Sequence, residues 1–256
     1  MHFLVTNDDG VWAPGLAALT KEIQKLGKVT IVAPDRNWSA SGHVKTMNRP
    51  LRVKEVFLED GTKAFASDGA PSDCVALSVL GLLGEKIDFV VSGINPNANL
   101  GHDVTYSGTV TAAMEGTISN IPSIAVSLDA HEFFSGPIDF SAAAQVARVV
   151  AEKVMENKMP GNVLLNVNVP YLPFKEIKGY RITRQGLRVY RDELIRREDP
   201  RGRPYYWIGG DAPTGVPEEG TDVGALSAGY VSITPISLDL TAYDCVKHFQ
   251  DWKIGE

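Results

Sequence analysis

Phe3–Gly10 reads FLVTNDDG, a short and mostly apolar run that stops at polar turn-forming residues. Val29–Ala33, VTIVA, is a second run of the same kind. Between the two runs, apolar residues recur at helical spacing: Leu16, Leu19, Ile23 and Leu26. Gly27 follows where a helix C′ residue is expected. Strand, helix and strand in this order predict a βαβ unit with a right-handed crossover.

The same alternation continues through the first two thirds of the chain. We predict further strands at Lys63–Ala66, Ile87–Val91, Ser123–Leu128 and Val163–Val167. We predict further helices at Pro71–Leu83, Thr109–Ser119 and Phe140–Asn157. Alternation of this kind predicts an α/β fold with three layers, in which a Rossmann-like, mostly parallel sheet carries helices on both faces.

The last part of the chain has a different character. Leu187–Trp207 is rich in arginine and aromatic residues, and Asp199–Gly202 is typical of a turn. We predict a long hairpin here, either a solvated surface excursion or an oligomerisation arm, since exposed aromatic side chains are costly in water. Tyr230–Pro235 returns to strand character. We therefore divide the chain into a catalytic core, residues 1–183, and an arm with a C-terminal segment that returns to the core, residues 184–256.

Composition excludes several classes of protein. The 256 residues include 25 Lys and Arg against 31 Asp and Glu, and this net charge of −6 argues against a partner that is a nucleic-acid polymer. Two cysteines are too few for a disulfide framework or a cysteine-based zinc site. The N-terminus lacks signal-peptide features, and the longest apolar stretch, Cys74–Leu83, is too short to span a bilayer. We expect a cytoplasmic protein that does not bind membranes.

The polar residues that follow the predicted strands are the candidates for chemistry. Asp8 and Asp9 follow the first strand, Ser39 lies in the loop after the second, and Asn95 follows Ile87–Val91. These loops open on one edge of a parallel sheet, where ligands bind. Adjacent carboxylates repel unless a cation or proton lies between them, so an oxygen-only Mg²⁺ or Mn²⁺ site is one interpretation. The other is a helix-capping carboxylate, a solvated carboxylate and ordinary loop residues.

A polar turn before a predicted helix is a second candidate. Ser107, Gly108 and Thr109 precede an alanine-rich helix. The free N–H groups and the positive end of the dipole at a helix start can hold a phosphate. A plain N-cap by Ser107 explains the same residues equally well.

Taken together, these loops resemble the SurE family, the stationary-phase survival nucleotidases. The strings that carry the resemblance are Val5–Gly10, Ala33–Asn37 with Ser39, Ser92–Asn95, Asn99–Gly101, Asp103, Tyr106–Val110, Ala112–Gly116, Thr221–Asp222 and Gly229–Pro235. They extend over nearly the whole chain. The departures are Asn97, where the family usually has glycine, Trp38, where it usually has arginine or another polar residue, and the stretch Ser41–Lys45 with His43, which is not the family's commonest version. They lie beside the predicted metal loop, so they bear on substrate preference.

The resemblance implies a metal-dependent phosphomonoesterase that acts on nucleoside 5′- and 3′-monophosphates, with some members also trimming short polyphosphate. It implies one divalent metal held by Asp8, Asp9, Ser39 and Asn95. It also implies a homodimer or homotetramer joined through C-terminal arms.

In the mechanism that we predict, the cation polarises a phosphoryl oxygen and activates a water molecule. Asn95 and the helix start at Ser107, Gly108 and Thr109 hold the phosphoryl oxygens. Asp8 or Asp9 acts as the general base or as the nucleophile, and the sequence leaves that choice open.

Three other functions are compatible with an acidic pair after a first strand. A receiver-like signalling module would need a phospho-accepting aspartate where Asn95 stands and a lysine directly after Ser123–Leu128, and the sequence has neither. A dehalogenase-type phosphotransferase would need a spacer between Asp8 and Asp9. A metal- and nucleotide-binding regulatory module without turnover is the alternative that remains.

Overall fold

The computed structural model describes residues 1–130, 136–252 and 254. Its strands are β1 His2–Thr6, β2 Lys28–Pro34, β3 Val53–Phe57, β4 Lys63–Ser67, β5 Phe89–Asn95, β6 Ser123–Asp129, β7 Val163–Pro170, β8 Tyr180–Ile182, β9 Arg188–Glu198, β10 Pro204–Gly215 and β11 Val231–Ser237. Its α-helices are α1 Pro14–Ile23, α2 Pro71–Leu77, α3 Gly108–Ile118, α4 Ser141–Glu156, α5 Asp222–Ser227 and α6 Tyr243–Gln250. Short 3₁₀ turns occupy Gly101–Thr105 and Phe174–Glu176.

Nine strands form one sheet in the order β3-β4-β2-β1-β5-β6-β7-β11-β8, and β9 and β10 form a separate hairpin. The central strands β4, β2, β1, β5, β6 and β7 are parallel. Strand β3 pairs antiparallel with β4, and β11 pairs antiparallel with β7 and parallel with β8. The predicted α/β fold with a mostly parallel sheet is therefore confirmed. The chain moves from β1 to β2 on one side and later to β5 on the other, so strand order reverses at β1.

Helices cover both faces of the sheet, as predicted. Helices α1 and α4 pack together on one face, and α2 and α3 pack together on the other. Every residue of β1 is buried, which explains why its sequence is a continuous apolar run and not an alternating one. The amphipathic spacing in α1 buries Leu16, Leu19 and Ile23 completely.

Two helix boundaries differ from the prediction. Helix α1 ends at Ile23, so Gly27 is not its C′ residue. A Cβ atom at Gly27 would lie 2.6 Å from the carbonyl oxygen of Met1, so close approach of the first strand explains the glycine. The predicted helix Pro71–Leu83 continues beyond α2 only as a π-helical turn, Ser78–Leu82, because Gly81 adopts a positive φ of 112°.

The last part of the chain contains the predicted hairpin, which is longer than expected. Strands β9 and β10 extend to Gly215, and Asp199 holds the turn by accepting hydrogen bonds from the backbone of Arg201 and Arg203 at 2.8 and 3.0 Å. Strand β11 then returns to the main sheet beside β7. Strands β3 and β8 and helices α5 and α6 were not predicted. Of the predicted C-terminal segment, residues 253, 255 and 256 lie outside the described residues. No helix in the described part of the chain combines the length and apolarity that a membrane span needs.

Candidate active site

The candidate site lies at the carboxyl edge of β2, β1 and β5, which are neighbours in the sheet. The loops after these three strands and the first turn of α3 meet there. This is the point at which strand order reverses, and open parallel sheets bind ligands at such points.

The loop after β1 positions two adjacent carboxylates. Asn7 closes the loop on itself, since its side chain donates to the carbonyl of Gly10 at 3.0 Å and accepts from the Gly10 N–H at 3.2 Å. Gly10 itself has a φ of 107°, which favours glycine. The Asp8 side chain is consequently buried, whereas that of Asp9 is half-buried and borders a groove.

Helix α3 begins against Asp8. The hydroxyl of Thr109 donates a hydrogen bond to Oδ1 of Asp8 at 2.5 Å. A Cβ atom at Gly108 would lie 2.7 Å from the Cβ of Asp8, so only glycine permits this approach. The hydroxyl of Ser107 caps the helix by accepting from the N–H of Val110 at 3.1 Å. Thus Ser107 and Thr109 already use their hydroxyls, and these residues can offer a phosphate only the helix N-terminus.

The ionised form of both carboxylates is disfavoured by their surroundings. Burial raises the pKa of Asp8 above its usual value, although hydrogen bonds from Thr109 oppose the shift. Burial, and then the charge of Asp8, raise the pKa of Asp9 to about 7. No lysine, arginine or histidine among the described residues offsets either shift. A bound cation would relieve the strain of both groups at once.

The loop after β2 is tied to both aspartates. The backbone N–H of Trp38 donates to the carbonyl of Asp8 at 2.7 Å. Asn37 bridges Asp9 and Ser39. Its amide nitrogen donates to Oδ1 of Asp9 at 3.3 Å, and its amide oxygen accepts from the N–H of Ser39 at 2.7 Å. Ser39 is exposed and is thereby held next to the acidic pair. The sequence analysis did not single out Asn37, because a turn-forming asparagine gives no sign of a contact across loops.

Asn95 ends β5 and is partly buried. Its amide nitrogen donates to the carbonyl of Asn97 at 2.5 Å, so the amide oxygen is the end that can face a cation. The next residue, Pro96, borders the same groove as Asp9. The loops of Asp9 and Asn95 are therefore adjacent.

The chemistry of these donors fits a hard divalent cation. Two carboxylates, a hydroxyl and an amide oxygen are the ligand types that Mg²⁺ and Mn²⁺ prefer. Within the described residues no cluster of three or more His, Cys, Asp or Glu could hold a metal, which leaves a mixed oxygen set as the candidate.

Several other polar residues that the sequence analysis noted have structural partners. His43 contacts Glu115 at 3.0 Å and is tied to α3. Asp103 pairs with Arg188 at 2.7 Å and accepts from the hydroxyl of Tyr190 at 2.6 Å, which joins the hairpin to the core. Neither contact is predictable from the sequence, since the partners lie 72 to 87 positions apart. Cys74 is fully buried.

Comparison with known proteins identifies the family of the chain. The family model described as survival protein SurE matches residues 3–192. A protein of Herpetosiphon aurantiacus named 5′-nucleotidase SurE is 55% identical over 96% of each chain, and a protein of the same name from Chloroflexus aggregans is 50% identical over 99% of each. The crystal structure of the SurE protein from Aquifex aeolicus superimposes with a TM-score of 0.82 at 42% identity, covering 99% of this chain and all of that one. The chain therefore belongs to the SurE family.

Proposed function

We propose that this protein is a metal-dependent phosphomonoesterase that hydrolyses nucleoside 5′- and 3′-monophosphates to nucleoside and phosphate. The observation that carries the proposal is the pair of adjacent, strained carboxylates at the carboxyl edge of the sheet. The name 5′-nucleotidase, which the relatives at 48–55% identity share, supports it.

Asp8, Asp9, Ser39 and Asn95 would hold one Mg²⁺ or Mn²⁺ ion. When bound, such an ion polarises a phosphoryl oxygen and lowers the pKa of a coordinated water. Asp8 is buried and held by Thr109, so it serves to position the site. Asp9 borders an open groove and is the carboxylate that can reach a water molecule or a phosphoryl group.

Ser107, Gly108 and Thr109 would orient the phosphoryl group through the helix start. The first N–H groups of an α-helix lack partners within the helix, and the dipole favours an anion there. Asn95 would face the same group from the opposite loop with the second N–H of its amide, while its amide oxygen faces the cation. Together these residues would stabilise the charge that develops on the phosphoryl oxygens.

The test is phosphate release from a panel of 5′- and 3′-nucleoside monophosphates and short polyphosphate, with Mg²⁺ or Mn²⁺ and again with chelator. We expect release that chelator abolishes. Nucleotide binding without release from any member of the panel, by folded protein with either metal, would instead support the regulatory module. The panel also ranks the substrates, and so reports the preference for base and for the 5′ or 3′ position.

We also propose that the hairpin of β9 and β10, residues 188–215, joins copies of this chain into a homodimer or homotetramer. Cross-strand apolar pairs lie exposed on it: Ile208 faces Leu194, and their exposures are 83% and 72%. An isolated chain would leave these side chains in water at a cost. We expect Ile208→Ser with Leu194→Ser to lower the mass measured by light scattering to that of a monomer.

A cytoplasmic location suits the two free thiols, of which Cys245 is exposed.

A further inference from the structure

A groove of about 420 Å³ begins at Asp9 and lies beside the candidate metal site. Its main lining residues are Asp9, Ala13, Pro14, Pro96, Ile138 and Phe140. Among the described residues that line it, Asp9 carries the only polar side chain. The groove therefore offers apolar surface directly next to the group that would hold the metal.

The walls of this groove are fixed by the packing of α1 against the end of β5. A Cβ atom at Gly15 would lie 2.3 Å from the carbonyl oxygen of Ile94, so the first turn of α1 can approach this strand only because residue 15 is glycine. Pro14, in this first turn, and Pro96, just after the strand, both line the groove. The carbonyl of Pro96 in turn accepts a hydrogen bond from the N–H of Ala130 at 3.2 Å. The groove is thus a built feature of the sheet edge.

Two other cavities are close enough to compete as ligand sites. One, of about 340 Å³, is bordered by Asn95 and lined mainly by polar residues, including the Asp103–Arg188 ion pair, and Ala212 of the hairpin also borders it. The other, of about 430 Å³, lies at Trp12 and is bordered by Glu59 and Asp60, which repel an anionic ligand. It contains none of the candidate metal ligands.

We propose that the groove at Asp9 is the nucleobase subsite of the enzyme. This inference rests on the proposed function, since it assumes a nucleotide whose phosphate lies at the metal. A base presents two flat, mostly apolar faces, and the groove is the cavity that combines apolar walls with a candidate metal ligand. Because its walls offer few hydrogen-bonding groups, it accepts bases by size and stacking and discriminates weakly between base edges.

The experiment compares two substrates, adenosine 5′-monophosphate and ribose 5-phosphate, which share the reacting phosphate and differ in the base. Ile138→Trp fills the groove at Asp9, and Ala212→Trp adds the same side chain to the polar cavity as a matched control. We expect Ile138→Trp to raise KM for the nucleotide about tenfold and to change kcat/KM for ribose 5-phosphate by less than about twofold. Ala212→Trp should leave both substrates within about twofold of the wild type.

Ile138→Ala provides a second variant that does not depend on fitting an indole into the groove. It removes apolar contact, so we expect KM for the nucleotide to rise about threefold to tenfold while ribose 5-phosphate is again unaffected. An equal loss on both substrates, or a selective loss in Ala212→Trp, would overturn the subsite while leaving the phosphomonoesterase intact. If the wild type releases phosphate from neither substrate with Mg²⁺ or Mn²⁺, the proposed function fails and the subsite fails with it.

Discussion

Two buried carboxylates, Asp8 beside the first turn of helix α3 and Glu115 near the C-terminus of the same helix, are in opposite electrostatic environments. At its start, Thr109 contacts Asp8, which is 3% exposed and whose pKa is raised by burial. About two turns later, Glu115 is 6% exposed but is bound by His43 at 3.0 Å and Lys45 at 3.2 Å. The hydrogen bond from His43 is the main reason why the pKa of Glu115 is lowered.

This difference separates a carboxylate that is ion-paired within the protein from two carboxylates whose neutralising charge, under the proposed function, comes from a bound cation. The protein supplies its own cations at Glu115, and the ion pairs fasten the loop after β2 to the helix. It supplies none from the described residues at Asp8 and Asp9, and instead buries two like charges side by side. Such an arrangement lowers the stability of the free protein and is explained if a ligand provides the missing charge.

The largest effect is expected for Asp9→Asn, which removes one of the two adjacent carboxylates. We expect phosphate release to fall by at least about 100-fold, because a candidate metal ligand and a candidate general base are lost together. We expect the free energy of unfolding in chelator to rise, since the repulsion with Asp8 disappears. Activity and denaturant unfolding are measured on the same preparation.

Asp60→Asn is the control for that variant, since it removes an equivalent charge from an exposed turn. It should change neither quantity appreciably. Retained turnover in folded, metal-replete Asp9→Asn would remove this residue from the mechanism.

Two glycines of α3, Gly108 and Gly116, allow the contribution of each end of the helix to be tested separately. A Cβ atom at Gly108 would meet Asp8, whereas one at Gly116 would lie 2.4 Å from Oγ of Ser123 and 2.8 Å from Cγ2 of Val90. We expect Gly108→Ala to lower kcat roughly 10- to 100-fold by displacing Asp8. We expect Gly116→Ala to cost about 1–3 kcal/mol of stability through overpacking and to retain activity.

Kinetics and denaturant unfolding of the two glycine variants give the result directly. If Gly108→Ala were fully active, close contact between α3 and Asp8 would not matter for the reaction. If both variants lost stability but kept full activity, the two ends of the helix would be equivalent.

The sequence was sufficient to locate the acidic pair at the correct edge of the sheet. Strand ends are recognisable because an apolar run such as Phe3–Thr6 stops at polar residues, and parallel strands share an edge. The partners of these groups were not recognisable, because Asn37 and Glu115 act through contacts between distant segments. Gly27 shows the same limit: its position after a helix predicted a cap, but contact with Met1 explains it.

Glu115→Gln tests the paired end of the helix. The negative charge is lost while the shape is kept, and His43 and Lys45 can regain some hydration because both are exposed in part. We expect a loss of about 1–2 kcal/mol in the free energy of unfolding. Glu152→Gln, which breaks the more exposed pair with Arg148 on α4, is the matched control and should cost less than about 0.5 kcal/mol. Equal losses in the two variants would show that burial adds nothing at Glu115.

The last prediction concerns how the free energy of unfolding depends on pH when chelator is present. The folded-state pKa of Glu115 lies below its usual 4.5, so its contribution is present above pH 4.5 and is lost as the pH falls. The folded-state pKa of Asp9 lies at about 7 against a usual 3.8, so Asp9 favours folding most at low pH and this contribution is lost as the pH rises from about 4 to 7.

We therefore expect Glu115→Gln to flatten the acid limb of the profile and Asp9→Asn to flatten the limb between pH 4 and 7. Chemical unfolding across this pH range resolves the two limbs, and addition of Mg²⁺ at pH 7 should restore stability to the wild type far more than to Asp9→Asn. If both substitutions flattened the same limb, the pKa values of Glu115 and Asp9 would be shifted in the same direction. The distinction between an ion-paired carboxylate and one that needs a bound cation would then be wrong.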